Sequence, residues 1–90
     1  MEKSNEIIRV YGRVQGVGFR YSAQQIAASI GLCGFVSNES DGSVYIEAEG
    51  SSEQINLFIG CCQKGSARAI VREVMHFPGT LMNYSNFRVK

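Results

Sequence analysis

The sequence predicts an α+β fold of order βαββαβ, in which an antiparallel sheet of four to five strands carries two helices on one face. Apolar residues alternate with polar ones in several short segments and recur at helical spacing in two others, and turn or cap residues separate these segments. The chain has 90 residues and is 44% hydrophobic, enough apolar mass for one small core. We therefore expect a single domain over residues 1–90.

Residues 6–14 predict the first strand, in which Ile8 and Val10 share one face. Glycines end this strand, and a helical pattern follows at once. Its apolar residues recur one and two turns apart: Phe19, Ala23, Ile26, Ala27 and Ile30. Gly31 provides the stop, so the first helix is predicted to end there.

A β-hairpin is predicted next. Residues 34–38 form a short strand, and the Ser-Asp-Gly-Ser sequence at 40–43 supplies a turn. The strand after the turn alternates apolar residues with polar and aromatic ones: Val44, Ile46 and Ala48.

The second helix is predicted from its cap. Ser51 with Gln54 three residues on is a capping box, and the helix is expected to end near Gly65. Its apolar stripe consists of Ile55, Phe58, Ile59 and Cys62.

Two more strands complete the order. Residues 68–77 are rich in β-branched and apolar side chains and predict a strand that Pro78 and Gly79 stop. A last edge strand is expected to hold Phe87 and Val89.

The nine residues 12–20, Gly-Arg-Val-Gln-Gly-Val-Gly-Phe-Arg, lie between the first strand and the first helix. Glycine permits the positive φ angles that turn successive N–H groups into one concavity, and the helix adds its own unpaired N–H groups. Arg20 stands where the loop becomes helix, and its planar fork of donors matches two phosphate oxygens. The pattern indicates an anion site, and the alternative is a plain turn whose arginine is solvated.

Two common nucleotide-binding motifs are excluded. Residues 16–21 lack the third glycine of a dinucleotide loop, and no Gly-Lys-Ser or Gly-Lys-Thr follows for a P-loop. The expected ligand is therefore a small phosphate compound.

Charge and cysteine content limit the partners. The net charge of +1 and the absence of any run of like charges argue against long nucleic acids. Residues 1–5 are polar and no apolar run is long enough for a membrane span or a signal sequence, so no membrane partner is expected. Three cysteines without framework spacing suit a reducing compartment, which predicts a cytoplasmic protein.

An RNA-binding module shares the predicted order of elements and is an alternative. Gly34, Phe35 and Val36 are similar to part of the aromatic strand motif of the RNA-recognition domains. The fragment lies on the second strand instead of the third, and the near-neutral charge lacks the basic surface that RNA binding needs.

Residues 10–20 resemble the signature of the acylphosphatases, and the likeness covers nearly the whole chain. It continues at the family's spacing in Gly31, Leu32, Gly34, Phe35, Val36, Ser37, Asn38, Asp41, Gly42, Ser43, Val44 and Glu47. The resemblance implies a ferredoxin-like fold and hydrolysis of acyl phosphates, without a metal or other cofactor. One departure is that residues 64–68 lack the proline that the family often carries there.

The resemblance also implies roles for particular residues. Arg20 would hold the phosphoryl group and Asn38 would orient the attacking water. The backbone amides that would line the cradle belong to Gln15, Gly16, Val17, Gly18, Phe19 and Arg20. An acyl phosphate would be the substrate, and inorganic phosphate the product and inhibitor.

The loop contains no carboxylate, histidine, serine or cysteine to serve as acid, base or nucleophile. Such a site suits a substrate whose leaving group departs without a proton, as a carboxylate of pKa about 4 does. A phosphate-sensing domain without catalysis is the remaining alternative, and Asn38 distinguishes the two because a pure binder does not need to hold a water.

The other candidate residues are expected to have no part in catalysis. His76 is expected to be packed or at the surface instead of catalytic, and Cys62 is expected in the core. The protein is expected to be a monomer, and Cys61 or Cys33 is the candidate for an intermolecular disulfide in air.

Overall fold

The computed structural model describes residues 2–90, and Met1, part of the polar start noted above, lies outside them. The elements are β1 Ser4–Arg13, α1 Phe19–Ile30, β2 Cys33–Asn38, β3 Val44–Gly50, α2 Ser52–Lys64, β4 Ile70–Pro78 and β5 Phe87–Val89. The predicted order βαββαβ with a short final strand is confirmed. Neither helix in this part of the chain combines the length and the apolar character needed to cross a membrane.

The strands form one sheet in the order β4-β1-β3-β2-β5. β1 pairs antiparallel with β3 and β4, and β2 pairs antiparallel with β3. β5 pairs parallel with β2, so the sheet is mixed and the expectation of a wholly antiparallel sheet is wrong at this edge. β4 runs opposite to β1, and β5 runs opposite to β4. β5 therefore has the same direction as β1 and β2.

The core lies between one face of the sheet and both helices, as predicted for a ferredoxin-like fold. Side chains of β1, β2 and β3 that are fully buried meet those of the helices there: Ile8, Val10, Val36, Val44, Ile46, Ala48, Ala27 and Phe58. Phe58 packs edge-on against Phe87 with ring centroids 5.9 Å apart, which fixes β5 to the second helix. Burial of one shared apolar face thus sets the positions of the strand ends around the loop between β1 and α1.

The element bounds differ slightly from the predicted ones. β1 begins at Ser4 because Asn5 is buried and pairs with Glu49 of β3. β4 begins at Ile70, since the residues before it form a turn in which the N–H of Ala69 donates to the carbonyl of Ser66 at 3.1 Å. Backbone pairing thus extends β1 at its start, whereas the turn at 66–69 shortens β4 at its start.

Candidate active site

The loop between β1 and α1 has the backbone that its glycines predict. Gly16 and Gly18 have φ angles of 72° and 78°, in the left-handed region. A Cβ on either glycine would meet nothing within 4 Å, so the requirement for glycine here is conformational instead of steric. A side chain at these positions would strain the loop.

The N-terminus of α1 carries no cap. Among the described residues, no side chain accepts a hydrogen bond from its first amides, and its first turn contains no acidic residue. In α2, by contrast, Ser51 caps the helix and Glu53 lies in the first turn. The unpaired amides and positive dipole end of α1 are therefore available to an anion, whereas in α2 the capping box already satisfies the amides of Ser51 and Gln54.

The carbonyl groups of Gly16 and Val17 face residues 66–68, which are not among those that line the cavity described next. The Ser66 hydroxyl donates to the carbonyl of Val17 at 2.9 Å, and Arg68 lies at a longer 3.5 Å from the carbonyl of Gly16. In a trans peptide the N–H points opposite to the carbonyl, so the amides of Val17 and Gly18 point away from residues 66–68. The connection that lacks the family's usual proline thus still supports the loop.

Arg20 and Asn38 line the same cavity, which has a volume of about 170 Å³. The other residues that line it are Val14, Gly16, Gly18, Phe19, Tyr21 and Val89. Of the predicted cradle, Gly16, Gly18 and Phe19 reach this cavity with Arg20. Val17 is buried and the Gln15 side chain points elsewhere, so only their backbone amides remain candidates for the cradle.

Arg20 is held by the end of β5. Its Nη1 donates to the backbone carbonyl of Lys90 at 2.7 Å, and the N–H of Lys90 donates to the carbonyl of Val36 on β2 at 2.8 Å. One donor of the guanidinium is thereby used to fix its direction. Arg20 also lines the cavity that the loop borders, and its other N–H groups are candidates to bind an anion there.

Asn38 is the exposed last residue of β2, directly before the turn formed by residues 39–43. Within this turn the N–H of Glu39 donates to the carbonyl of Ser43 at 2.9 Å, and the N–H of Gly42 donates to the carbonyl of Glu39 at 3.1 Å. Hydrogen bonds from the Ser43 hydroxyl and N–H lower the pKa of Asp41, so its carboxylate stays ionised and holds the turn. Asn38 therefore directly precedes a turn that several hydrogen bonds stabilise.

Gln15 connects the loop to turn 39–43. Its Nε2 donates to the carbonyl of Glu39 at 2.7 Å and to the carbonyl of Ser43 at 2.9 Å. Sequence reasoning assigned only the backbone of Gln15 to the site and missed this side chain. It also missed Ser66 and the carbonyl of Lys90, because contacts made across the fold leave no local pattern.

Among the described residues that line the cavity, the ionisable side chains are those of Arg20 and Tyr21. His76 is exposed on β4 and pairs with Glu6 at 2.6 Å, which confirms its expected surface place. Burial raises the pKa of the Cys62 thiol to about 12, as suits the core position predicted for it. The described side chains that line the cavity thus include no carboxylate, histidine or cysteine to serve as a general base.

Comparison with known proteins agrees with this arrangement. The sequence profile of the acylphosphatase family matches residues 6–89. The chain belongs to the acylphosphatase family. The resemblance seen in residues 10–20 is thereby confirmed, and the family match includes most of β1 and the whole of every later strand and helix.

Individual acylphosphatases match over most of their length. That of Thermotoga petrophila is 43% identical over 83 residues, which are 92% of each chain. The crystal structure of the acylphosphatase from Bacillus subtilis aligns with a TM-score of 0.94 at 34% identity and covers 99% of both chains. The acylphosphatase from Coxiella burnetii also aligns at 0.94, with 33% identity over 98% of this chain and 93% of its own.

Proposed function

We propose that this chain hydrolyses acyl phosphates to a carboxylate and inorganic phosphate, with Arg20 holding the phosphoryl group and Asn38 orienting the attacking water. Membership of the acylphosphatase family gives the reaction class. The observation that carries the residue roles is that Arg20 and Asn38 line one cavity at the uncapped end of α1.

The phosphoryl group lies against the loop. The amides of residues 15–20, the phosphate loop, and the guanidinium of Arg20 donate hydrogen bonds to its equatorial oxygens, where negative charge accumulates in the transition state. Because these donors are fixed before the substrate arrives, little reorganisation is needed during the reaction.

Asn38 acts on the nucleophile. Its carboxamide both donates and accepts, so it holds a water in line with the phosphorus and reduces the entropic part of the barrier. The water oxygen forms the new bond to phosphorus, the bond from phosphorus to the acyl oxygen breaks, and the carboxylate leaves with the electron pair. The protons of the water pass to the phosphate product and to solvent.

The leaving group explains why the side chains at the cavity suffice. A carboxylate with a pKa of about 4 departs without a proton, whereas an alkoxide requires a general acid. Acyl phosphates therefore match this site, and ordinary phosphate monoesters do not.

The direct test is incubation of the protein with benzoyl phosphate, with and without EDTA. We expect release of benzoate and phosphate at the same rate in both, because the proposed chemistry uses the chain's own donors. Loss of the rate in EDTA would contradict the metal-free mechanism. Binding of phosphate without turnover would instead identify a non-catalytic anion-binding domain.

Assembly and location follow as part of the same proposal. Residues 1–90 act as one domain and as a cytoplasmic monomer, consistent with the single core shared by both helices and with free cysteines. Cys33 and Cys61 are half-buried, so air oxidation links copies through one of them. Identical bands on reducing and non-reducing gels after exposure to air would refute that linkage.

A further inference from the structure

We infer that the Gln15 carboxamide is a positioning residue for this reaction: it holds turn 39–43, and Asn38 directly before it, in register with the phosphate loop. The inference rests on the proposed function, because the position of Asn38 relative to the phosphate loop matters only if Asn38 orients a water toward the phosphoryl group. No part of the mechanism above uses the Gln15 side chain.

The geometry of the contact is specific. Both hydrogens of the Gln15 amide are used, one by the carbonyl of Glu39 at 2.7 Å and one by the carbonyl of Ser43 at 2.9 Å. Both acceptors are carbonyl oxygens, so only the nitrogen end of the amide fits between them. A donor with two hydrogens on one atom is required to bridge the two sides of the turn.

Hydrogen bonds within turn 39–43 hold it together, so the two hydrogen bonds from Gln15 position the whole turn. The Glu39 and Ser43 carbonyls already accept from amides of the turn, and the Asp41 carboxylate accepts from Ser43. Ser43 is 2% exposed, so the turn is anchored in the protein at that residue. Moving the turn relative to residue 15 therefore carries Asn38 with it.

The other side-chain tie between β1 and the turn is weak. An ion pair of 3.7 Å joins Glu39 to Arg9 on β1, and both side chains are about a third exposed. Such surface pairs contribute little to holding a geometry. The pairing of Asn38 with Val44 joins the two strands of the hairpin to each other. The pairing of β3 with β1 ends at Val44 and Val10, before the phosphate loop begins. The Gln15 bridge is the direct hydrogen-bonded link from that loop to the turn beside Asn38.

The test compares wild type with Gln15→Met and Gln15→Glu, using benzoyl phosphate for kcat and KM and inorganic phosphate for the inhibition constant. Methionine keeps the length of the side chain but has no donor, and an ionised glutamate presents oxygens to two carbonyls. We expect kcat to fall about tenfold in Gln15→Met and further in Gln15→Glu, because small displacements of a reacting group are costly. The phosphate inhibition constant should change less than about twofold, since the backbone amides and Arg20 remain.

Gln54→Met is the matched control. Gln54 also donates from Nε2 to a backbone carbonyl, that of Ile30 at 3.0 Å, but at the opposite end of α1 from the cavity. We expect this variant to lose thermal stability and to keep the wild-type kcat. A comparable loss of kcat in Gln54→Met would mean that lost stability, and not lost register, explains the Gln15 result.

The outcomes separate this inference from the proposed function. Wild-type protein that does not hydrolyse benzoyl phosphate would refute the proposed function itself. An active wild type with an unchanged kcat in Gln15→Met would refute only the inference, and so would equal losses of kcat and phosphate affinity. If Gln15→Met unfolds below the assay temperature, wild type, Gln15→Glu and Gln54→Met are compared instead. The assay temperature is then one at which circular dichroism shows these three proteins to be folded.

Discussion

At the residue scale, Arg20 combines an observed structural bond with the binding role proposed for it. Its contact with the carbonyl of Lys90 fixes the direction of a long side chain that would otherwise lose rotamer entropy on binding phosphate. The sequence singled out Arg20 by its place between the glycine loop and the helix, and Asn38 because it lies in a stretch similar to the family. Gln15, Ser66 and Lys90 gave no such signal, since their contacts join segments that are far apart in the chain.

Arg20→Lys tests the binding role. Lysine keeps the positive charge but not the planar fork, so at least one charge-assisted hydrogen bond to the phosphoryl group is lost. We expect the inhibition constant of phosphate to rise about tenfold or more, since such a bond is worth about 1.5–3 kcal/mol, with a comparable loss in kcat/KM. Steady-state kinetics with phosphate as inhibitor measures both, and unchanged phosphate inhibition would contradict the assignment.

Asn38→Ala tests the water-orienting role. Alanine removes both polar groups of the side chain and leaves the backbone pairing of Asn38 with Val44 in place. We expect kcat to fall about a hundredfold or more while phosphate inhibition stays close to wild type, because only the nucleophile loses its position. If the two quantities fall together, Asn38 serves in binding instead of in orienting the water.

At the element scale, the two helices differ in how they begin, and the difference matches their roles. α2 satisfies its first amides with a capping box, which the pair Ser51 and Gln54 predicted. α1 begins after a left-handed glycine with no side-chain cap among the described residues. The loop after β1, the uncapped start of α1 and the end of β2 thereby meet at one cavity.

The sequence did not predict the path of residues 79–86, which connect β4 to β5. This segment leads from β4 to β5 at the opposite edge of the sheet, and its backbone is held by a buried carboxylate. Glu49 is 2% exposed and accepts from the amides of Met82 at 2.6 Å and Tyr84 at 2.9 Å, and from Asn5 at 2.9 Å. Because β5 ends at the Arg20 contact, this anchor also supports the site.

Glu49 makes the stability of the fold sensitive to acid. Burial alone would raise the pKa of Glu49, but its hydrogen bonds from Asn5 and from the amides of Met82 and Tyr84 outweigh burial and lower it. A lowered pKa in the folded state means stability that is present above the ordinary glutamate range and is lost as the pH falls through the folded pKa. Acidification should therefore lower the melting temperature.

Glu49→Gln isolates this contribution. One end of the glutamine amide must face a backbone N–H, so we expect a loss of about 1–3 kcal/mol at neutral pH. Since glutamine does not titrate, the melting temperature of the variant should fall less steeply with acid than that of wild type. Thermal melts between neutral and acidic pH measure both effects, and parallel curves would show that another carboxylate governs the acid response.

At the scale of the whole molecule, the order of elements and the side of the sheet that carries the helices were predictable, because apolar periodicity is local. The direction of β5 was not. It depends on the path of residues 79–86 from one edge of the sheet to the other, and the three residues of β5 are too few to show a preference. The same holds for the contact between Arg20 and Lys90, which exists only once β5 lies beside β2.

The central claim is that water, placed by Asn38, attacks phosphorus while Arg20 and the phosphate loop hold the phosphoryl group. Hydrolysis of benzoyl phosphate in ¹⁸O-labelled water, followed by mass spectrometry of both products, tests it most directly. Attack at phosphorus places the label in inorganic phosphate and leaves the benzoate unlabelled. Label in the benzoate would show attack at the acyl carbon and would contradict the account.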